Sequence, residues 1–375
     1  MTEKIVFAGG GTGGHIYPGL AVADELKKIA EKNNRKIKIY WFGNSGGMDR
    51  KLVEKSGIAD VFCGIPSGKL RRYFSIKNFF DFFKILAGIF VSFFRLLFIR
   101  PSLVFSKGGF VSVPPCFAAW ILRIPVFTHE CDFTPGLATK INSRFAAKIL
   151  VSYPETVKFL PKNRQARAVV SGNPVRPAFY EADAGRGREF LSGNKEWVPS
   201  KPVLLVLGGS LGARQLNELV VQNLSWLTER FIVVHQCGAK DASFVPERSD
   251  CYFPYPFIYE QMPDVIACAD VVLSRAGAST VWESAVEGKP SVLVPLCGSG
   301  TRGDQVDNAG FFASRGAAFV LNGEEAVFEK LRDCLERLLD EKTRLEMGQK
   351  MAELAAGKRS SLKIAEIIGD VINAF

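Results

Sequence analysis

Five glycines in six positions, followed by one of only three histidines in the chain, make "VFAGGGTGGHIYPGLA" the first place to look for chemistry. Gly9, Gly11 and Gly14 satisfy G-x-G-x-x-G behind an apolar run, the spacing that brings backbone N–H groups and a helix N-terminus to a pyrophosphate. A dinucleotide site also needs an Asp or Glu about 20 residues further on, at the end of the second strand, to hold a ribose. Here that strand, "KIKIYWFGN", ends in Phe42, Gly43 and Asn44 with no carboxylate, so a dehydrogenase loses its second support. The extra glycines and His15 suggest a loop that lets a bulky ligand approach its backbone and presents an imidazole to it. The bland alternative is a tight turn whose histidine caps a helix starting near Pro18.

Two further glycine loops stand between a strand and a helix. In "LGGSLGARQ", Ser210 offers a hydroxyl and the helix start a partial positive charge, although a plain strand-to-helix turn reads the same way. In "SRAGASTVWESAVEG", Glu283 lies in the early turns of a helix, where a carboxylate either accepts the two hydroxyls of a ribose or only complements the helix dipole. His129, after the strand "IPVFT", and His235, closing "FIVVHQCG", read as structural.

These loops need a scaffold, and the chain supplies one by rhythm. Short apolar runs ("KIVFA", "KIKIYWFG", "SLVFSKGG", "IPVFTHE") alternate with longer helical patterns such as "GLAVADELKKIAEK", which implies βαβ units and mostly parallel sheets. The rhythm pauses over Pro/Gly/Asn-rich residues 171–202 and resumes at "PVLLVLGGSLGARQLNELV". The halves echo each other: "LVFSKGGFVSVPPCFAAWILRIPVF" and "VVLSRAGASTVWESAVEGKPSVLV" each run strand, Ser, basic residue, glycine turn, helix, Pro and strand. The fold class expected is α/β, two Rossmann-like parallel-sheet domains facing across a cleft, as the length of 375 residues also favours.

Composition narrows the class further. With 47% hydrophobic and 23% charged residues the chain is a folded globular protein. A net charge of +10 makes an acidic partner plausible: nucleic acid, an anionic membrane or a phosphorylated substrate. Eight cysteines without a CxxC pair or a Cys/His cluster signal neither zinc nor a disulfide framework, and the N-terminus lacks an apolar signal region, so a reducing cytosol is expected.

Taken in order, "GGGTGGHIYPGLA", "KGGFVSVP", "HECDFTPGLATK", "GNPVR", "GGSLGA", "RAGASTVWE" and "GDQVDNA" are similar to the MurG family of GT-B glycosyltransferases. The resemblance covers most of residues 5–310. It implies transfer of N-acetylglucosamine (GlcNAc) from UDP-GlcNAc to lipid I, undecaprenyl-diphospho-MurNAc-pentapeptide, to give lipid II. It also implies an acceptor- and membrane-facing domain over residues 1–176 with the helix of 358–375 packing back on it, and a UDP-GlcNAc-binding domain over 177–357. Carried over by position, donor contacts fall on Thr12, Gly13 and Gly14, on Arg176, and on Ser210 at the diphosphate. The backbone of Ile258 would meet the uracil. Ala278, Ser279, Thr280, Val281, Trp282 and Glu283 would hold the nucleotide, with Glu283 on the ribose, and Gln305 would read the sugar hydroxyls. Many family members have His-Glu-Gln-Asn where this chain has His129, Glu130, Cys131 and Asp132, so a carboxylate at Asp132 replaces an amide near the donor.

Such a transfer resembles inverting chemistry, which needs a base for the attacking hydroxyl and positive potential for the departing diphosphate. His15 is the first candidate base and Glu130 the second; with no D-x-D motif, backbone N–H groups, helix N-termini and Arg176 serve the diphosphate, and neither a metal nor another cofactor is expected. The lipid acceptor gives a reading to residues 69–101, which hold seven basic residues, one acid and ten aromatics. Their longest uncharged run, residues 85–94, is half of the ~20 needed to span a bilayer, so a transmembrane helix is not expected. Apolar positions 79, 82, 83, 86, 90, 93, 94 and 97 form a helical stripe whose ordinary place is a core. The excess of apolar residues off that stripe and the basic flanks suggest an interfacial segment on an anionic membrane at its cytoplasmic face, with Phe79, Phe83, Phe90, Phe93, Phe94 and Phe98 as contacts and no nucleic-acid partner. A diacylglycerol glycosyltransferase and a sugar-nucleotide epimerase are the rival readings.

Overall fold

The structure, a computed structural model, describes residues 2–68, 76–193, 200–209, 212–298, 301–355 and 359–372. Ser210, the basic residues of 69–72 and the helix break expected near Gly357 lie outside them. The chain divides into two compact units, one of Met1–Arg176 with Lys358–Phe375 and one of Pro177–Gly357.

The first unit runs β1 (Glu3–Ala8), α1 (Gly13–Lys32), β2 (Ile37–Asn44), α2 (Asp49–Ser56), β3 (Val61–Ile65), α3 (Ile76–Ile99), β4 (Leu103–Ser106), α4 (Val113–Ile121), β5 (Val126–Glu130), α5 (Leu137–Asn142), β6 (Lys148–Val151) and β7 (Ala168–Val170). All pairs are parallel, in the order β3-β2-β1-β4-β5-β6-β7. Successive residues of β1 serve opposite faces: Ile5 and Phe7 join one core with Leu20, Leu26 and Trp41, whereas Val6 and Ala8 join another with Val104, Val111 and Ile149. A parallel sheet covered on both sides has no polar face, which is why its strands read as continuous apolar runs.

The second unit runs α6 (Ala184–Ser192), β8 (Val203–Leu207), α7 (Arg214–Gln222), α8 (Leu224–Arg230), β9 (Ile232–Gln236), β10 (Tyr252–Tyr255), α9 (Met262–Cys268), β11 (Val271–Ser274), α10 (Ala278–Val286), β12 (Ser291–Leu293), α11 (Asp304–Ala313), β13 (Ala318–Val320), α12 (Phe328–Arg337) and α13 (Glu341–Ala355). Its sheet, also parallel, has the order β10-β9-β8-β11-β12-β13. The last helix, α14 (Ser360–Val371), returns to the first unit and packs on α1 through Ile364, Ala365 and Ile368.

Two local features bear on the sequence expectations. Helix α1 begins at Gly13, not near Pro18, so His15 is its third residue and Pro18 lies inside it. Pro18 has no N–H to return to the Gly14 carbonyl, and that oxygen is left at an exposed end. Helix α3 is the second: by length and composition alone Phe79–Ile99 is long and apolar enough to cross a membrane, although an interfacial segment was expected. The uncharged run within it is shorter because Lys84 and Arg95 bound it; Asp81, one turn earlier, is buried and lies 3.6 Å from Lys84.

Candidate active site

Strand order reverses direction between β1 and β4 in the first sheet and between β8 and β11 in the second. Crevices beyond the carboxyl ends of parallel strands form at such switch points. The first is bounded by residues 9–14 and 107–110, the second, among the described residues, by 208–209, 212–213 and 275–277, so each unit's glycine loop meets its own basic-residue turn.

In the first crevice the glycine loop is held by a carboxylate that the sequence pattern did not flag. Asp49, 1% exposed at the start of α2, accepts the N–H of Gly11 at 2.9 and 3.1 Å and that of Asn44 at 2.8 Å. A side chain on Gly10 would overlap Asp49 Oδ2. The carboxylate therefore does reach the end of the second strand, one turn later than a ribose-binding acid would, and takes a loop N–H that a dinucleotide phosphate would otherwise use. Trp41 Nε1 adds a bond to the Gly9 carbonyl at 3.0 Å.

His15 rests on the opposite wall. Gly108 and Gly109 have φ of +84° and +74°, and a Cβ on Gly109 would stand 2.9 Å from both His15 Cδ2 and the Gly10 carbonyl. Glycines are needed there for conformation and for room. Beside them Lys107 is 1% exposed, and its ammonium has no hydrogen-bond partner among the described residues. Arg176 reaches the same neighbourhood, with its guanidinium 5.8 Å from the centre of the Tyr17 ring. Thr12 and Gly14 are exposed and Gly13 is half-buried.

Glu130, the second candidate base, has another task. It is 4% exposed, and its two oxygens accept the N–H groups of Asp132 at 3.1 Å and Gly136 at 2.9 Å, closing the turn that follows β5. Both oxygens of this candidate are thus engaged by backbone donors of its own turn. Glu130, Cys131 and Asp132 gather their ligand-type atoms within 4.8 Å, but this commitment of Glu130 counts against a metal there. His129 donates from Nε2 to the Gly172 carbonyl at 3.0 Å; burial, then the Lys107 charge, holds it well below the ordinary imidazole range.

In the second crevice, Arg275 occupies the place of Lys107, and its guanidinium donates to Gln215 Oε1 and the Val294 carbonyl, both at 3.0 Å. Helix α10 turns Ser279, Thr280 and Glu283 to a half-exposed face. Val281 and Trp282 are buried, Trp282 against Phe311 and Phe312, and Ala278 is buried as well, so these three offer a ligand backbone rather than side chains. The Ile258 N–H is taken by Gln236 Oε1 at 2.8 Å, leaving only its carbonyl for a ligand. Gln305 spends its side-chain oxygen on the Leu296 N–H at 2.9 Å. His235, buried between Tyr252 Oη and Asn217 Oδ1, is neutral and structural, its pKa lowered by burial to about 4.

Helix α3 inverts the usual arrangement. Asp81, Gly88, Ser92 and Leu96 face the domain, and a methyl on Gly88 would overlap the Pro66 carbonyl. Phe79, Phe80, Phe82, Phe83, Phe90, Phe94 and Phe98 are exposed, Phe98 at 79%. The stripe whose ordinary place is a core is therefore the outer one. Phe93 alone among the expected contacts is half-buried, packed on the core beneath β4.

Residues 5–151 match the glycosyltransferase family 28 N-terminal domain and residues 203–365 its C-terminal domain. The chain is 48% identical to a Treponema denticola protein named UDP-N-acetylglucosamine–N-acetylmuramyl-(pentapeptide) pyrophosphoryl-undecaprenol N-acetylglucosamine transferase, covering 97% of this chain and 96% of that one. A Clostridium botulinum protein of the same name is 40% identical over 86% of this chain and 87% of its own. Among solved structures, Acinetobacter baumannii MurG superposes with a TM-score of 0.73 at 27% identity, covering 98% of this chain and 99% of that one. A UDP-GlcNAc 2-epimerase from Neisseria meningitidis shares the fold alone, at 14% identity and a TM-score of 0.61 with full coverage of both chains.

Proposed function

This chain belongs to glycosyltransferase family 28, within the group of the Treponema N-acetylglucosamine transferase, and we propose that it moves GlcNAc from UDP-GlcNAc to the C4 hydroxyl of the MurNAc of lipid I, forming lipid II. The reading rests on near-full-length likeness to that transferase. The acceptor oxygen attacks the anomeric carbon as the bond from that carbon to the UDP oxygen breaks, and UDP leaves with the electron pair. His15, at the start of α1 and backed by Gly108 and Gly109, takes the hydroxyl proton. The α1 N-terminus, Lys107 and Arg176 supply positive potential in the first domain, while Ser279, Thr280 and Glu283 on the open face of α10 hold the nucleotide, with Glu283 on the ribose. Purified protein given UDP-GlcNAc or UDP-galactose, with lipid I or diacylglycerol, tests this directly. Labelled GlcNAc should enter lipid I alone; sugar on diacylglycerol, or epimerised UDP-sugar, would establish a rival.

The lipid acceptor also accounts for α3. The enzyme sits on the cytoplasmic face of an anionic membrane with the Phe face of α3 in the lipid interface, where Lys84 and Arg100 meet headgroups. Lying in the interface is favoured over spanning because Asp81, Gly88, Ser92 and Leu96 bind the helix to its own domain along its length. Trp120 and Ile121, exposed at the end of α4 on which α3 packs, extend the apolar surface. Exchanging Phe90, Phe94 and Phe98 for Ser should release the protein from phosphatidylglycerol vesicles in flotation; undiminished binding would remove α3 from the contact.

A further inference from the structure

The second unit holds another cavity, at the edge of its sheet opposite the glycine loops, where β8, β11 and β12 begin. Its volume is about 490 Å³, within the range of small-molecule sites. Four cations from separate segments line it: Arg188 of α6, Lys201 ahead of β8, Lys289 ahead of β12 and Arg344 of α13. The single carboxylate in the lining, Asp270, already accepts the Val203 N–H at 2.7 Å.

Each cation is anchored without being neutralised. Lys201 donates to the Thr228 carbonyl and Lys289 to the Ala267 carbonyl, both at 2.7 Å. Arg344 donates to the Leu338 and Leu339 carbonyls at 2.8 Å, and Arg188 to the Ala184 carbonyl at 3.3 Å. None of the four forms an ion pair among the described residues. Carbonyl anchors fix the side chains and leave most of their donors unused, since an ammonium has three and a guanidinium five. Burial lowers the Lys289 pKa by more than the nearby Glu287 and Asp270 raise it.

We propose that this cavity is an anion site for a small diphosphate-bearing molecule, separate from the donor crevice. The four cations outnumber the one carboxylate of the lining, which leaves a net positive charge for a diphosphate, and the volume exceeds what one phosphate fills. Strand β8 alone puts about 16 Å between the cavity and the loop leaving its carboxyl end. An anion bound there ties α6, the entries to β8 and β12, and α13 to one another without touching the donor contacts.

The test is titration of inorganic pyrophosphate into the full-length protein by calorimetry, at constant ionic strength and with saturating UDP holding the donor crevice. The proposal expects saturable binding at one site, at least tenfold weaker binding for Arg188→Glu and for Lys201→Gln, near-normal binding for Lys201→Arg, and an unchanged Kd for UDP in all three. Arg188 is exposed on α6, so its exchange leaves the fold intact. Absence of binding, competition between pyrophosphate and UDP, or equal affinity in Arg188→Glu would each overturn it.

Discussion

Four residues of the first unit, Ser106-Lys107-Gly108-Gly109, and four of the second, Ser274-Arg275-Ala276-Gly277, leave equivalent strands at equivalent switch points. Their side chains do opposite things. Arg275 is spent on its own domain through Gln215 and the Val294 carbonyl, whereas the Lys107 ammonium is buried with no hydrogen-bond partner. Gly109, at φ +74°, has His15 and the Gly10 carbonyl against it; Gly277 has ordinary φ of −67° and nothing within 4 Å of where a Cβ would be. The amides differ too. Asp49 fills one in the first loop, while no carboxylate among the described residues accepts from Gly208, Gly209, Gly212 or Ala213. One supersecondary unit has thus been fitted for two jobs: a crowded crevice that fixes a histidine and a cation, and an open one suited to a nucleotide.

The sharpest way to break this contrast is to add the same methyl to both turns. Gly109→Ala should displace His15 and lower kcat by about a thousandfold, the range lost with a general base. Gly277→Ala should leave kcat within about twofold. Equal losses in a steady-state assay would mean that the two turns are not distinguished as described.

Acid tests the buried histidines, one in each unit. His235 is neutral when folded, with its pKa near 4 against an unfolded value of about 6.5, so the unfolded chain binds the extra proton between those values. Stability is therefore full above pH 6.5 and falls as pH drops toward 4, by about 3 kcal/mol from this residue. His129, also shifted down, adds a loss of the same sign in the first unit. Urea denaturation across pH 4 to 7 measures it; flat stability would contradict the buried neutral forms.

Asp49→Asn replaces a carboxylate that accepts from two backbone N–H groups with an amide, one end of which is a donor. It should cost about 2 kcal/mol of stability in the first unit, read as a lower urea midpoint. Smallest is a paired exchange. Lys107→Met removes an unpaired buried charge and should stabilise by on the order of 1 kcal/mol while lowering kcat/KM; Arg275→Met strands two acceptors and should destabilise by a similar amount. Effects of the same sign would erase the distinction between the two cations.

Much of this was legible before the structure because it is periodic or repeated. Strand-loop-helix alternation predicts two parallel sheets, and the shared Ser-basic-glycine turn marks both switch points. Asp49 is hidden in the sequence because its partners are backbone amides, those of Asn44 and of Gly11, the second 38 positions away, and not a recognisable side chain. The stripe of α3 was visible, but periodicity does not say which side of a helix faces the protein. That depends on Pro66 and Pro114, against which only a glycine at position 88 fits. Within the run 278–283 the sequence does not separate side chains from backbone: helical geometry turns a contiguous run to all sides and buries Val281 and Trp282.

One pair of variants tests most directly the proposed division between proton transfer in the first crevice and nucleotide binding in the second. Kd for UDP and kcat for GlcNAc transfer should be measured side by side for His15→Ala and Glu283→Ala. His15→Ala is expected to lose turnover by about a thousandfold with UDP affinity within about twofold of normal, and Glu283→Ala to weaken UDP by about tenfold or more. Near-normal turnover in His15→Ala, or equal loss of UDP affinity in both variants, would contradict it.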